Sequence, residues 1–251
     1  MLPSRWRLLQ TPPDSGPWNM ALDVALARCL KLDQGVLRIY SWSHPTLSFG
    51  RNQPARDRYG SLAMAQLEGH VVRRPTGGRE VLHDRELTYS VVLPSRALGG
   101  PRLTYRTLNA TLLEAIRSLG VPARLTQSKS RSPQPDAGAC FREPVRDEIE
   151  EAGRKLVGSA QARIGDVLLQ HGSLPIQPPS LGPESLRSAG ISLSELLSKS
   201  ICFSVVAEAV ESAMTGALGG LWCRGRVRVR EQRVAASLLH HYESPTWTWR
   251  R

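Results

Sequence analysis

Apolar side chains recur at helical spacing at Leu22, Leu26, Cys29 and Leu30, with Asp23 in the first turn and Asn19 as a candidate N-cap, so the pattern predicts a helix over 20–32 closed by Gly35. Strand-type alternation follows over 36–42 and, after a turn containing proline, over 46–50. A short helix is expected over 58–67 and a strand over 70–74, which runs into the glycine turn of RRPTGGREVLHD. Beyond that turn Leu87, Tyr89, Val91 and Leu93 share one strand face. The stripe Leu108, Leu112, Leu113, Ile116 and Leu119 predicts a helix over 104–119, stopped by Gly120 and Pro122. Two further amphipathic helices are expected over 203–218 and 231–242. Before these two helices, alternation through Lys155-Leu156-Val157 and Val167-Leu168-Leu169 predicts paired strands, with Ala152-Gly153 and Gly165-Asp166 as turn dipeptides. Strands alternating with helices point to an α/β (α+β) chain. No repeat or linker interrupts the pattern, since the Ser/Pro-rich stretch 127–135 is too short to be one and reads as a loop; a single domain over 1–251 is expected.

With 251 residues and 41% hydrophobic side chains, the chain has ample material for a core. Its first residues contain no apolar segment of secretory length and no run approaches a membrane span of roughly 18 residues, so a cytoplasmic protein is expected. Net charge is +11, which calls for acidic partners. The basic residues are spread along the chain without a nucleic-acid-binding motif, which argues against nucleic acid. Four cysteines without a CxxC pair give no metal or disulfide framework. Cys29, Cys202 and Cys223 sit among apolar neighbours and are expected to be packing residues.

Cys140 differs. It ends a polar segment, SKSRSPQPDAGA, that suits neither a helix nor a central strand, and so is expected on a loop. Lys155 stands out by rarity, because only four of the 33 basic residues are lysines. A lysine directly after Arg154 suggests a need for a compact ammonium, to grip a carbonyl or phosphate oxygen; a solvated strand-end lysine is the plain alternative. Gly77-Gly78 after Thr76 lets backbone approach a ligand and present N–H groups, with Arg73, Arg74 and Arg79 alongside, although a hairpin turn with solvated arginines explains the same residues. His83 and Asp84 could cap a loop or handle a proton.

These residues resemble the lipoate–protein ligase and octanoyltransferase family, which shares its core with biotin–protein ligases. The resemblance rests on SGPWNMALD, LRIYSW…PTLSFGRNQ, RRPTGGREVLHDRELTYSV, ACF, GRKLVGSAQAR, LLQHGSLPI and HHYESPTWTWR, in the family's order over nearly the whole chain. It implies mixed β-sheets flanked by helices. Family ligases that use ATP usually carry an extra small C-terminal domain and lack the cysteine before the GRKLVGSAQ-like segment. This chain resembles instead the cysteine-dependent octanoyltransferases. Carried over by position, Cys140 matches the acyl-accepting cysteine and Lys155 the lysine that binds the acyl carbonyl. Arg74, Thr76, Gly77, Gly78 and His83 match the loop lining the acyl or nucleotide pocket, and Ser159, Ala160 and Gln161 the strand facing it. The partners implied are octanoyl-acyl carrier protein and lipoyl domains such as the glycine cleavage H protein; no cofactor or metal is implied, and a monomer is expected.

In that chemistry a thiol exchanges with a thioester at little free-energy cost and a lysine amine then forms the more stable amide, so ATP is not required. Lys155 or Arg142 could lower the thiol pKa of Cys140, and Lys155 could instead hold the oxyanion. An apolar tunnel for the acyl chain is expected from the 87–93 strand and from Val157 and Leu169. The alternatives are an ATP-dependent lipoate ligase in which Cys140 is incidental, an octanoyl transfer from one lipoyl domain to another, and a non-catalytic carrier-binding module.

Overall fold

The computed structural model of the chain describes residues 2–56, 67–127 and 147–251. All but the last residue of the helix expected over 58–67, all but the first residue of the 127–135 loop, Cys140 and Arg142 lie outside these residues. Eleven strands are described: β1 (Arg5–Gln10), β2 (Gln34–Tyr40), β3 (Thr46–Phe49), β4 (Val71–Arg73), β5 (Val81–His83), β6 (Glu86–Pro94), β7 (Arg124–Leu125), β8 (Ile149–Glu151), β9 (Arg154–Ile164), β10 (Val167–Pro175) and β11 (Leu221–Arg224). The helices are α1 (Gly16–Cys29), α2 (Pro101–Ser118), α3 (Glu184–Arg187), α4 (Leu193–Leu197), α5 (Phe203–Leu218), α6 (Val229–Glu243) and α7 (Pro245–Thr248). Among the described residues no helix is long and apolar enough to cross a membrane.

The larger sheet runs β11-β1-β2-β6-β10-β9-β8-β7, parallel over its first three strands and antiparallel beyond, as the expected mixed sheet requires. Side-chain alternation divides its two faces. Leu37, Ile39, Leu87, Tyr89, Val91 and Leu93 point to one side, where α2 and α5 cover them with Leu108, Leu112, Ile116, Val206, Val210 and Met214. Leu9, Val36, Val92 and Leu169 point to the other, against Met20, Leu22 and Leu26 of α1 and Tyr242 of α6. A small sheet, β4-β3-β5, packs its own apolar cluster around Leu47, Phe49 and Leu82.

Three expectations about local structure change. Helix α1 begins earlier than expected, because Ser15 accepts a hydrogen bond from Trp18 N and Pro17 suits the first turn. Asn19 lies inside that helix, and its amide donates to the carbonyls of Asp14 and Ser41. Gly35 lies in β2, paired with Trp6 of β1, rather than closing α1, and a Cβ there would meet Trp6 ring carbons at 2.4 Å. Gly35→Ala is therefore expected to destabilise the fold by about 1–3 kcal/mol, as overpacking of a rigid aromatic neighbour does. Thermal unfolding checks this, and an unchanged Tm would contradict it. Thirdly, Cys202 and Cys223 are exposed and Cys29 is half-buried, so none is a packing residue of the expected kind. Cys202 stands at the N-cap position of α5 without a side-chain cap hydrogen bond, and Cys223 sits on edge strand β11, its thiol donating to Trp6 O at 3.4 Å.

The Ala152-Gly153 turn forms as expected: both residues have positive φ, 51° and 72°, in the two-residue link between β8 and β9. Lys155 follows it as the second residue of β9.

Candidate active site

A narrow cavity opens where the small sheet meets the large one. Gly158, Ser159 and Ala160 of β9 line it, opposite His171 and Gly172 of β10. Arg74 and Gly78 come from the glycine turn and His83 from β5, while Met20, Trp42 and Val81 supply apolar surface. The structure thus brings together Arg74, Gly78, His83, Ser159 and Ala160 of the residues named from sequence. The expected tunnel is elsewhere. Leu87, Tyr89, Val91, Leu93 and Val157 face α2 and α5, and Leu169 faces α1, so these side chains are core and do not line this cavity. On β6 it is Thr88, on the opposite face, that reaches the cavity.

Arg73, Arg74 and Arg79 are buried rather than solvated. The Arg74 guanidinium donates to Ser48 O at 2.9 Å, to Ser48 Oγ, to Gly77 O at 3.3 Å and to Arg79 O at 2.7 Å. It spends its donors folding the turn around itself. Arg73 does the same for the neighbouring loop, donating to Gly50 O and Gln53 O, both at 2.7 Å. Gly78 has φ of 88°, and Gly50 packs so closely that a Cβ would lie 1.8 Å from Gly78 O.

Two carboxylate–imidazole–hydroxyl chains hold this turn. In the first, Asp23 Oδ2 lies 3.1 Å from His171 Nδ1, and His171 Nε2 lies 2.6 Å from Thr76 Oγ1. In the second, Glu86 Oε1 lies 2.8 Å from His83 Nδ1, and His83 Nε2 lies 2.6 Å from Ser48 Oγ, which accepts from Arg74. A neutral imidazole in either chain carries its proton on Nδ1, facing the carboxylate, and accepts the hydroxyl proton at Nε2. Trp42 stacks on His83 with ring centroids 3.9 Å apart and donates Nε1 to Glu86 and Thr88. Asp84 caps a loop, accepting from Ser180 N at 2.6 Å.

Burial alone would raise the Asp23 carboxyl, but the His171 hydrogen bond and the Arg38 guanidinium, 2.8 Å away, outweigh it and hold Asp23 below the usual carboxylate range. Burial pushes His83 below its ordinary value, against the opposing pull of Glu86. A histidine lowered in the folded state stays neutral where the unfolded chain, titrating near about pH 6.5, has taken up a proton. Stability must then fall as pH drops below about 6.5, and Asp23 adds a loss in the same direction as pH falls through its lowered value. Tm measured from pH 7 to 5 is expected to decline, and His83→Gln to flatten that decline; equal slopes would contradict it.

Lys155 is 1% exposed and its Nζ lies 2.7 Å from Glu148 Oε1, so it is not a solvated strand-end lysine. It sits three residues before Gly158 on the strand that lines the cavity, outside the lining itself. Gln161 also stands apart, donating to Pro101 O at 3.1 Å and Gln170 Oε1 at 2.8 Å. Sequence reasoning missed Asp23, Arg38, Trp42, Glu86 and His171. A signal for Asp23, Trp42 and Glu86, which these side chains meet, was the alternating polar pair Thr88 and Ser90 on the second face of a strand that proves buried on both sides.

The model of the lipoyl protein ligase A/B catalytic domain matches residues 15–215. The chain belongs to this family. It is 34% identical to a protein named octanoyltransferase LipM from Kyrpidia tusciae, over 98% of this chain and 99% of the relative. Another of that name, from Symbiobacterium thermophilum, is also 34% identical, over 99% of each. Among solved structures, that of lipoate-protein ligase A bound with ATP superimposes with a TM-score of 0.82 at 22% identity, covering 98% of each chain. The fold is thus that of the lipoate ligases, as the family resemblance implied.

Proposed function

We propose that this acyltransferase carries an octanoyl group from octanoyl-acyl carrier protein, through a thioester on Cys140, to a lysine of a lipoyl domain such as that of the glycine cleavage H protein. It works in the cytoplasm as one catalytic domain over 1–251. The observation that carries this reading is likeness along nearly the whole chain to proteins named octanoyltransferase, joined to the cysteine in ACF. In the first step the Cys140 thiolate attacks the acyl carbonyl, a new C–S bond forms, and the bond to the carrier sulfur breaks as its thiolate leaves. In the second the acceptor amine attacks the acyl-cysteine, a C–N bond forms, the C–S bond breaks, and the amine's proton returns the cysteine to a thiol.

Both steps pass through an oxyanion. Lys155, whose charge Glu148 balances in a buried setting, is the donor assigned to it. The acyl chain lies against Met20, Trp42 and Val81, and the two histidine chains hold the Arg74–Gly78 turn over it.

The test supplies octanoyl-acyl carrier protein and an apo lipoyl domain without nucleotide. One octanoyl group is expected on the domain's lysine. Modification that instead requires ATP and free octanoate or lipoate would overturn the reading in favour of a ligase.

A further inference from the structure

Arg51, Arg56 and Arg251 are exposed and Arg250 is half-buried, and among the described residues none of the four takes part in an ion pair. Exposed arginines elsewhere, such as Arg117 and Arg124, have carboxylate partners at 3.1 and 3.2 Å. The four are held side by side. Ala55 N and Arg56 N both donate to Arg251 O, Arg56 Nε donates to Trp249 O at 2.8 Å, and the Arg250 guanidinium donates to Arg51 O.

Their mutual repulsion is felt by the groups beneath them. Burial first, then Arg250, Arg251 and Arg74, bring the Arg73 guanidinium down to about 10. Arg250 is lowered too, by burial and then by Arg251 and Arg51. Among the described residues, Arg73 Nη2 and Arg250 Nε are buried donors without a hydrogen-bond partner. Positive charge gathered in this way opposes the compact fold and attracts an anionic partner.

The cluster is continuous with the cavity wall. Arg51 N donates to Thr76 O at 2.7 Å, and Arg73 precedes Arg74, which lines the cavity. A partner held on these arginines stands beside the turn that walls the cavity.

We infer that Arg51, Arg56, Arg250 and Arg251 form the docking surface for the acidic carrier protein that delivers the acyl thioester. The inference rests on the acyl-transfer reading above and adds to it the surface that selects the donor. A cationic surface beside a reaction site raises the encounter rate with an acidic partner and adds little for a neutral one. The carrier is the occupant assigned, because it is the partner that must present the acyl group to the cavity; the lipoyl domain, whose lysine must reach the same thioester, is the rival that the varied-domain arm tests.

The test compares two double variants with the same change of charge. Arg51→Glu/Arg251→Glu alters the cluster at two side chains with no hydrogen bond among the described residues. Arg230→Glu/Arg233→Glu alters the exposed first turns of α6, about 14–18 Å along the helix from Tyr242, which feels the Arg51 charge. Each is assayed with octanoyl-acyl carrier protein, with the small neutral thioester octanoyl-N-acetylcysteamine, and with varied apo lipoyl domain. The first variant is expected to lose about tenfold or more in kcat/KM for the carrier, with the salt dependence reduced, and to keep its rate on the small thioester. The α6 variant is expected to stay within about threefold of the parent on both donors.

Equal losses in the two variants would mean that net charge alone acts and would overturn the inference. So would a loss shared by the small thioester, a loss confined to the lipoyl domain, a gain of carrier activity on adding nuclease, or no loss. If the parent protein uses neither thioester, the acyl-transfer reading fails first and takes the docking surface with it. A parent that uses both, beside an unaffected cluster variant, refutes the surface alone.

Discussion

Lys155→Arg is expected to lower octanoyl transfer by about 100-fold or more, close to the effect of Lys155→Ala, since loss of one preorganised oxyanion donor costs about that much. The charge is the same. The space is not: Lys155 is 1% exposed, with its ammonium 2.7 Å from the Glu148 carboxylate. A guanidinium is larger and planar, and in that slot it must displace either the carboxylate or the group it is meant to hold. Arginine is this chain's ordinary cation, with only four lysines among 33 basic residues, so a lysine in a buried position marks a need that arginine does not meet. Overpacking will also cost stability, about 1–3 kcal/mol, so Tm is measured alongside the rate. Retention of most of the transfer rate by a folded arginine variant would show that the site does not require an ammonium.

Much of the fold was legible because it repeats locally. The stripes of α2 and α5 and the alternation of β6, β9 and β10 gave their elements to within a few residues. What failed was context. Gly35 reads as a helix stop, yet it is a strand residue that makes room for Trp6, twenty-nine positions earlier by sequence and adjacent by pairing. Cys202 and Cys223 have apolar neighbours in sequence but lie at a helix cap and a sheet edge, where neighbours in sequence do not cover them.

The site divided in the same way. The turn Arg74–Gly78 and the strand residues Ser159 and Ala160 could be matched by motif, and the structure brings them to one cavity. The apolar face of β6 was misplaced, because alternation says that two faces differ and not which one meets a ligand. The partners that fix the two histidines were out of reach: His171 meets Asp23 across 148 residues, and no spacing rule connects them.

Intact mass of the purified protein after incubation with octanoyl-acyl carrier protein, without nucleotide, tests the central claim most directly. The account predicts a single octanoyl adduct that neutral hydroxylamine releases, as a thioester requires, and that passes to a lysine when an apo lipoyl domain is added. Cys140→Ala is expected to abolish both adduct and transfer, an effect larger than that of any other substitution considered, because it removes the atom that holds the acyl group. The controls matter here, since Cys202 and Cys223 are exposed thiols and Cys29 is half-buried. Their alanine variants are expected to keep the adduct and the transfer rate. An adduct that survives Cys140→Ala, or lipoyl-domain modification by that variant from ATP and a free acid, would contradict the account.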